Sequence, residues 1–451
     1  MSLVGATVLL RLALILYLRT WLGDAGAYEH EIVAQSLVAG EGFRFFFFSD
    51  QALPSSHQAP AIPFLLAGAY RAFGAGSVWA RLAVECIQAG MAGLAVAAVG
   101  IMAHRWWGPR AMILAMLGFM LYPAFIYMPT RIQAVGWSTT FLPLFLLGFV
   151  GLHERPRRLG WAALAGLAGG IGILGEPILA APFGTCWLWL AWRSCRPTPG
   201  VGEARAPSLS RRLRGAAVVL AVSAAVVSPW LVRNVAVHGQ LTFVKSSFWY
   251  VFWQGNHQGA SGTDKLRVSP EIRDRLAWQP GVGRETEALL NSARKEAVSV
   301  DTSLTQEDLD QLFAYSTEAE RMDWFGDRIR EELGRDPLHY TRISLRRLGM
   351  LVWFDDTNPR SFVLPYRLPY LLLALLALVG LALMVRSRPL PAGFVYWFVS
   401  LGSLFLVHSL IITSARFRLP MEALYVLPAA LALSRMSALL PPSRSSGRLT
   451  E

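Results

Sequence analysis

Charge is scarce in this chain. Only 16% of its 451 residues are Asp, Glu, Lys or Arg, where a soluble protein carries about a quarter. Hydrophobic residues make up 54% and the mean hydropathy is +0.39. Together these exclude a soluble enzyme and indicate a polytopic membrane protein. Cysteine is scarcer still. Cys86 and Cys186 fall in apolar runs and Cys195 in a basic connector, which excludes a disulfide framework or a zinc-ligand spacing. No internal repeat of solenoid or transporter type is visible. No small-residue cleavage site ends the first apolar run, so that run reads as a retained signal anchor.

Acid is the sign in short supply, with 30 Asp and Glu against 42 Lys and Arg, a formal net charge of +12. The excess does not indicate nucleic-acid binding. It sits in short connectors between apolar runs, such as His104-Arg105, Arg155-Pro156-Arg157-Arg158, Arg193 to Arg214 and Arg386-Ser387-Arg388. Short basic loops stay on the cytoplasmic side.

Ten apolar runs are present, at about 3–22, 78–103, 110–128, 133–152, 160–175, 178–193, 213–233, 364–384, 390–412 and 421–437. The spacing predicts an all-α polytopic membrane protein of about ten transmembrane helices. The short runs 160–175 and 178–193 flank Gly175-Glu176-Pro177 and read as a tight helical hairpin. Residues 60–75 are apolar but short and open with two prolines. Read as an interfacial helix, they keep every arginine-rich connector in the cytoplasm. The organisation is then an N-terminal catalytic membrane module, 1–234, with a first outer loop, 23–77. An extracytoplasmic segment, 235–362, follows, with a small, mostly helical insertion in its polar part. C-terminal spans and a basic tail complete the chain, 363–451. Both termini are placed in the cytoplasm. In the insertion, Thr305-Gln306-Glu307-Asp308 has the pattern of a helix start, with Thr305 as N-cap.

Candidate functional residues gather on the outer face. Asp24, with Tyr28, Glu29 and Glu31 close behind it, opens the first outer loop. Carboxylates at a membrane boundary are costly to desolvate and are usually paired, solvated or functional. Asp24 can take the proton of an acceptor hydroxyl or amine attacking a sugar, bind a metal, or cap the next helix. Arg233 and Asn234 close the Pro229-Trp230-Leu231-Val232-Arg233-Asn234 stretch, and an arginine there fits a phosphate or an interfacial anchor. Asn256 lies in a Gly/Asn-rich turn suited to a ligand's approach. His408 interrupts an apolar run, and Arg416-Phe417-Arg418-Leu419-Pro420 ends it. Two outer arginines run against the charge rule and suit either an anionic lipid or neighbouring acids. Glu176 lies between the short runs, in a cavity or in a capped turn.

The ordered set of these motifs resembles the GT-C superfamily of integral-membrane glycosyltransferases, in the bacterial protein-mannosyltransferase-like and lipid A aminoarabinose transferase-like branch. The residues that carry the resemblance are Asp24, Tyr28, Ala34, Leu37, Gly40-Glu41-Gly42-Phe43, Pro60 and Pro63-Phe64-Leu65-Leu66-Ala67. Tyr122-Pro123, Pro229-Trp230, Arg233-Asn234, Gly255-Asn256 and Arg416 to Pro420 continue it. The resemblance implies a polyprenyl-phosphate-linked sugar as donor and a lipid, glycan or protein as acceptor. It also implies inverting transfer on the extracytoplasmic face of a bacterial plasma (inner) membrane. It places the base, or a carboxylate of a divalent-metal site, at Asp24, with Arg233, Arg416 and Arg418 on the donor phosphate. The chain departs from the pattern at Thr130–Gly136, where Gln133 stands in place of a second carboxylate. Glu29 and Glu176 are the acids left to take that role. Tyr28, Asn234, Asn256 and His408 are expected to line the substrate cavity. A rival reading with the same spans and basic residues is a non-catalytic flippase or transporter of lipid-linked saccharides. The lack of repeat symmetry and the gathering of polar residues on one face favour an enzyme.

Overall fold

A computed structural model describes residues 2–23, 27–196, 209–264, 304–387 and 389–439. Asp24, expected as the base, lies outside the described residues, as do most acidic residues of the insertion before Leu304. The described residues form 17 α-helices joined by short turns and 3-10 segments. One two-stranded antiparallel hairpin, Arg44–Phe45 with Leu53–Pro54, interrupts the all-α reading. Five helices are long and apolar enough to cross a membrane, or six if one bent pair counts as a single span.

The long helix α4 (Val78–Trp107) is central. Around it pack α1 (Leu3–Leu18), α3 (Ala61–Phe73), α5 (Pro109–Leu121), α7 (Ala134–Glu154) and the C-terminal α17 (Leu419–Leu439). Helix α2 (Tyr28–Val38) of the first outer loop lies on α3. The expected run 110–128 is not one rod. It bends by 61° between α5 and α6 (Pro123–Tyr127). Pro123 has no N–H, so the carbonyl of Phe119, four residues back, loses its helical partner. Arg11, fully buried in α1, supplies the donor instead, with Nη2 3.3 Å from that carbonyl and Nη1 3.1 Å from Thr7 O.

Helices α8 (Leu159–Gly175) and α9 (Ala180–Cys195) match the two short runs. They do not form an isolated hairpin, because α8 lies chiefly on α7 and on α10 (Leu209–His238), and α9 on α10 and α16 (Phe394–Leu410). Lipid offers no hydrophobic force between helices, so close approach at small residues holds them. A Cβ on Gly166 would sit 2.6 Å from Val219 O, and one on Gly148 2.7 Å from Ala165 Cα. Helix α15 (Leu364–Arg386) meets α17 in the same way, with Gly380 against Pro428.

The segment 235–362 contributes α11 (Phe248–Asn256), α12 (Gln306–Ala314), α13 (Glu318–Arg335) and α14 (Pro337–Val352). Thr305 caps α12 as its sequence predicts, in a capping box with Asp308, and Thr317 and Glu320 form a second box at the start of α13. Helix α13 turns Met322, Phe325 and Ile329 inward and packs on α11.

Candidate functional site

The first outer loop doubles back sharply after α2. Gly40 and Gly42 hold φ of 80° and 91°, values that side chains with a Cβ rarely adopt, which accounts for that part of the motif. The loop then buries Phe43, Phe45, Phe47 and Phe48. The rings of Phe45 and Phe47 both stack on His57, at centroid distances of 5.0 and 4.5 Å. Ahead of α2, Arg81 donates to Gly23 O at 3.2 Å, which pins the backbone next to Asp24. Glu31 is engaged by the same arginine at 2.9 Å and by the Tyr70 hydroxyl. It therefore serves to brace the loop.

A second wall comes from residues 411–416. Gly262 O accepts from Thr413 N at 3.1 Å, and Thr413 O accepts from Asp264 N at 3.3 Å. This pairing brings Asp264 to Arg416, with an N–O distance of 3.1 Å. Asn256 supports the wall. It donates to Phe252 O and to Ile411 O at 3.0 Å, and it accepts from the buried Arg347 at 2.7 Å. His408 is buried too, with Nδ1 3.2 Å from Ile412 O and its ring stacked on Phe417.

The charges of Glu29, Lys245 and Arg416 bear on His30, those of Glu29 and Lys245 on His57, and those of Lys245 and Arg416 on Glu176. His30 is 8% exposed, and its Nδ1 has no hydrogen-bond partner among the described residues. Burial pushes its pKa down to about 4. Lys245, Arg416 and His57 push the same way, and Glu29 opposes them. His57 is also pushed down to about 4, by burial first and then by Lys245, against Glu318 and Glu29. Both imidazoles are thus neutral at pH 7. The carboxyl of Glu176, in the turn after α8, is raised by its apolar surroundings against the pull of Lys245 and Arg416. Lys245 Nζ lies 3.4 Å from Gln58 Oε1. The ensemble is two cations, two neutral imidazoles and two carboxyls. Such a set suits an anion with a polar group beside it.

The other expected residues are placed differently. Arg233 donates to Ser55 O at 2.6 Å, Ser56 Oγ at 2.7 Å and Phe43 O at 3.1 Å, and it lies over the Trp230 ring. Asn234 accepts from Ser56 Oγ at 2.7 Å and donates to Phe243 O. Both hold the first outer loop. Arg418 is 4% exposed, pairs with Glu422 at 2.6 Å and caps Trp353 O, over the ring of Tyr370. Of the three expected arginines, Arg416 is the one whose charge bears on His30 and Glu176; it pairs with Asp264 and its side chain is 47% exposed, whereas Arg233 and Arg418 are each held by several protein groups. The Tyr28 backbone begins α2. No three His, Cys, Asp or Glu side chains among the described residues are grouped to hold a metal ion.

Sequence reasoning missed Lys245, His30 and His57. Lys245 carried a signal, as the lone lysine among the described residues of an arginine-rich chain. His30 sat unremarked inside the acidic cluster. His57 had no local signal, since its neighbours in space come from distant segments.

Neither a protein-family model nor a curated protein matches the sequence. Solved structures do. The apo oligosaccharyltransferase of Archaeoglobus fulgidus aligns over 97% of this chain and 50% of its own, at TM-score 0.55 and 14% identity. The archaeal oligosaccharyltransferase AglB from Archaeoglobus fulgidus, in complex with an inhibitory peptide and a dolichol-phosphate, aligns over 92% and 47%, at TM-score 0.51 and 14% identity. ArnT from Cupriavidus metallidurans bound to undecaprenyl phosphate covers 97% and 79% at 17% identity, but its TM-score of 0.39 adds nothing to the comparison. The chain spans about half the length of the oligosaccharyltransferases it matches. At this identity the likeness establishes the fold alone, a helical arrangement shared with these oligosaccharyltransferases.

Proposed function

We propose that this chain is a glycosyltransferase that moves a sugar from a polyprenyl-phosphate carrier to a lipid, glycan or protein acceptor. Transfer takes place at the extracytoplasmic face of a bacterial inner membrane. The single observation that carries the reading is that two cations from separate segments, Lys245 beside Gln58 and Arg416 beside Asp264, both act to lower the pKa of His30 and Glu176. Supporting it, a protein of the same fold is described with dolichol-phosphate bound. The topology goes with the reading. The shorter helices α1, α8, α9 and α16 also cross the bilayer, and both termini lie in the cytoplasm. Residues 23–77 and 235–362 face outward.

The chemistry is a displacement at the anomeric carbon. The acceptor oxygen or nitrogen bonds to C1 from the face opposite the phosphate, and the C1–O bond to phosphate breaks, so the configuration inverts. The electron pair stays on the phosphate, which leaves as polyprenyl phosphate with more negative charge than it had in the donor. Lys245 and Arg416 stabilise that charge, and interactions that strengthen as charge develops are the ones that accelerate the step. Asp24 takes the acceptor's proton, with Glu29, five residues further along the sequence, as the second carboxylate. Glu176 and His30 border the sugar. Arg233, Asn234, Arg418, Asn256 and His408 hold the loops that carry these groups.

The test is transfer of radiolabelled sugar from a panel of polyprenyl-phosphate sugars in membranes containing wild type or Asp24→Asn. Transfer by wild type that drops at least a hundredfold in the variant, at equal protein level, supports the reading. Equal transfer by both would remove Asp24 as base. Donor binding without turnover by wild type would favour a flippase.

A further inference from the structure

Glu318 is the first residue of α13, in the outer insertion, and is 3% exposed. The capping box of that helix is already complete with Thr317 and Glu320, so the Glu318 side chain is not needed as a cap. It reaches out of the helix. Its Oε1 accepts from Ser56 N at 2.9 Å and from the Ser246 hydroxyl, and its Oε2 accepts from the Ser55 hydroxyl. Those serines belong to two remote segments, which are also joined directly, Ser246 N to Ser56 O at 2.9 Å. The residues next in line are His57 and Lys245. Ser247 Oγ donates to His57 O at 3.2 Å, and Lys245 lies 3.4 Å from Gln58. One carboxylate thus clamps together the two segments of chain that carry His57 and Lys245.

We propose that Glu318 is a positioning residue for the donor phosphate. It acts through Ser56 and Ser246 to set Lys245 against His57, and so makes donor affinity depend on the docking of the outer insertion. The proposal rests on the reading of Lys245 and Arg416 as the phosphate-holding pair. A carboxylate that accepts several hydrogen bonds cannot be replaced by an amide without turning an acceptor into a donor. Glu318→Gln would therefore set an NH2 against a hydroxyl or an N–H and splay the segments. The loss would appear in donor binding rather than in the chemical step, because no atom of Glu318 touches the reacting groups.

The experiment uses the full chain, purified in detergent, and a C15 polyprenyl phosphate as probe, with affinity read by intrinsic tryptophan fluorescence. Lys245→Gln and Arg416→Gln test the underlying reading. Glu318→Gln tests the proposal, with Glu318→Asp as the conservative variant. Ser246→Ala removes one bond if Glu318→Gln does not fold. Arg321→Lys, which loosens α13 at its bonds to Leu312 O and Tyr315 O, controls for general destabilisation. We expect about tenfold weaker binding in Glu318→Gln, an intermediate loss in Glu318→Asp and Ser246→Ala, and no loss in Arg321→Lys. In transfer assays KM for the donor rises tenfold while kcat changes less than threefold. Wild-type affinity in Glu318→Gln, or in Ser246→Ala where Glu318→Gln does not fold, overturns the proposal and leaves the reading standing. So does an equal loss in Arg321→Lys. Wild-type affinity in both Lys245→Gln and Arg416→Gln, or no binding by wild type, overturns the reading and the proposal with it.

Discussion

The carboxylate of Glu318 accepts a hydrogen bond from the backbone N–H of Ser56 at 2.9 Å, across 262 residues of chain. The contact joins the insertion to the first outer loop, and the loop to the segment that carries Lys245. Around it, Arg233, Asn234 and His238 all meet the Ser56 hydroxyl. The first outer loop is thus braced by residues that would otherwise pass as ligand-binding groups.

If Lys245 and Arg416 hold the phosphate, removing either charge should cost one charge-assisted interaction. These are worth about 1.5–3 kcal/mol, or roughly ten- to a hundredfold. Lys245→Gln and Arg416→Gln should each lower kcat/KM for the donor by that factor without altering expression. Kinetics in vesicles would check this. Unchanged values in both would move the phosphate elsewhere.

Close helix contact makes Gly380 intolerant of a side chain. A Cβ there would lie 1.8 Å from Pro428 O, a backbone atom that cannot swing aside. Gly380→Val should separate α15 from α17 and cost about 1–3 kcal/mol, the usual range for overpacking. A fall in detergent melting temperature is the expected result. Gly402, with open space where its Cβ would sit, is the comparison, and Gly402→Ala should melt like wild type.

Acid should destabilise the first outer loop through its histidines. Both His30 and His57 have folded-state pKa values near 4, below the ordinary 6.5. Between those values the unfolded chain binds more protons than the native one, so stability rises with pH. The stability they contribute is present above pH 6.5 and is lost as pH falls toward 4. Each histidine contributes a slope of about 1.4 kcal/mol per pH unit in that window. Melting curves from pH 7.5 to 4.5 should show it. His57→Phe, which keeps the stack on Phe45 and Phe47, should flatten the slope. A double variant with His30→Gln that retains the full acid slope would refute the assignment.

Much of the architecture was legible because lipid imposes a simple rule. Apolar runs of the right length become helices, as at Val78–Trp107 and Leu364–Arg386. The bend at Pro123 was not read from the sequence, where 110–128 passed as one span on its hydropathy alone. Nor was its repair by Arg11, because the acceptor at Phe119 lies 108 residues away. The same limit governs the site. Arg233, Arg416 and Arg418 look alike as outer arginines, and only their neighbours in space separate them.

By itself, then, the sequence determined a membrane-embedded helical chain and a motif order resembling the GT-C enzymes. Periodicity, hydropathy and local turn chemistry are short-range, and they are written in neighbouring residues. Tertiary structure decided which charges are already matched. Glu318 with the serines, Arg418 with Glu422 and Arg347 with Asn256 are matched inside the protein. Arg416 pairs with Asp264, Lys245 lies by Gln58, and both bear on His30 and Glu176. A buried charge must find its partner, and where partners are dozens or hundreds of residues apart, the folded chain alone brings them together.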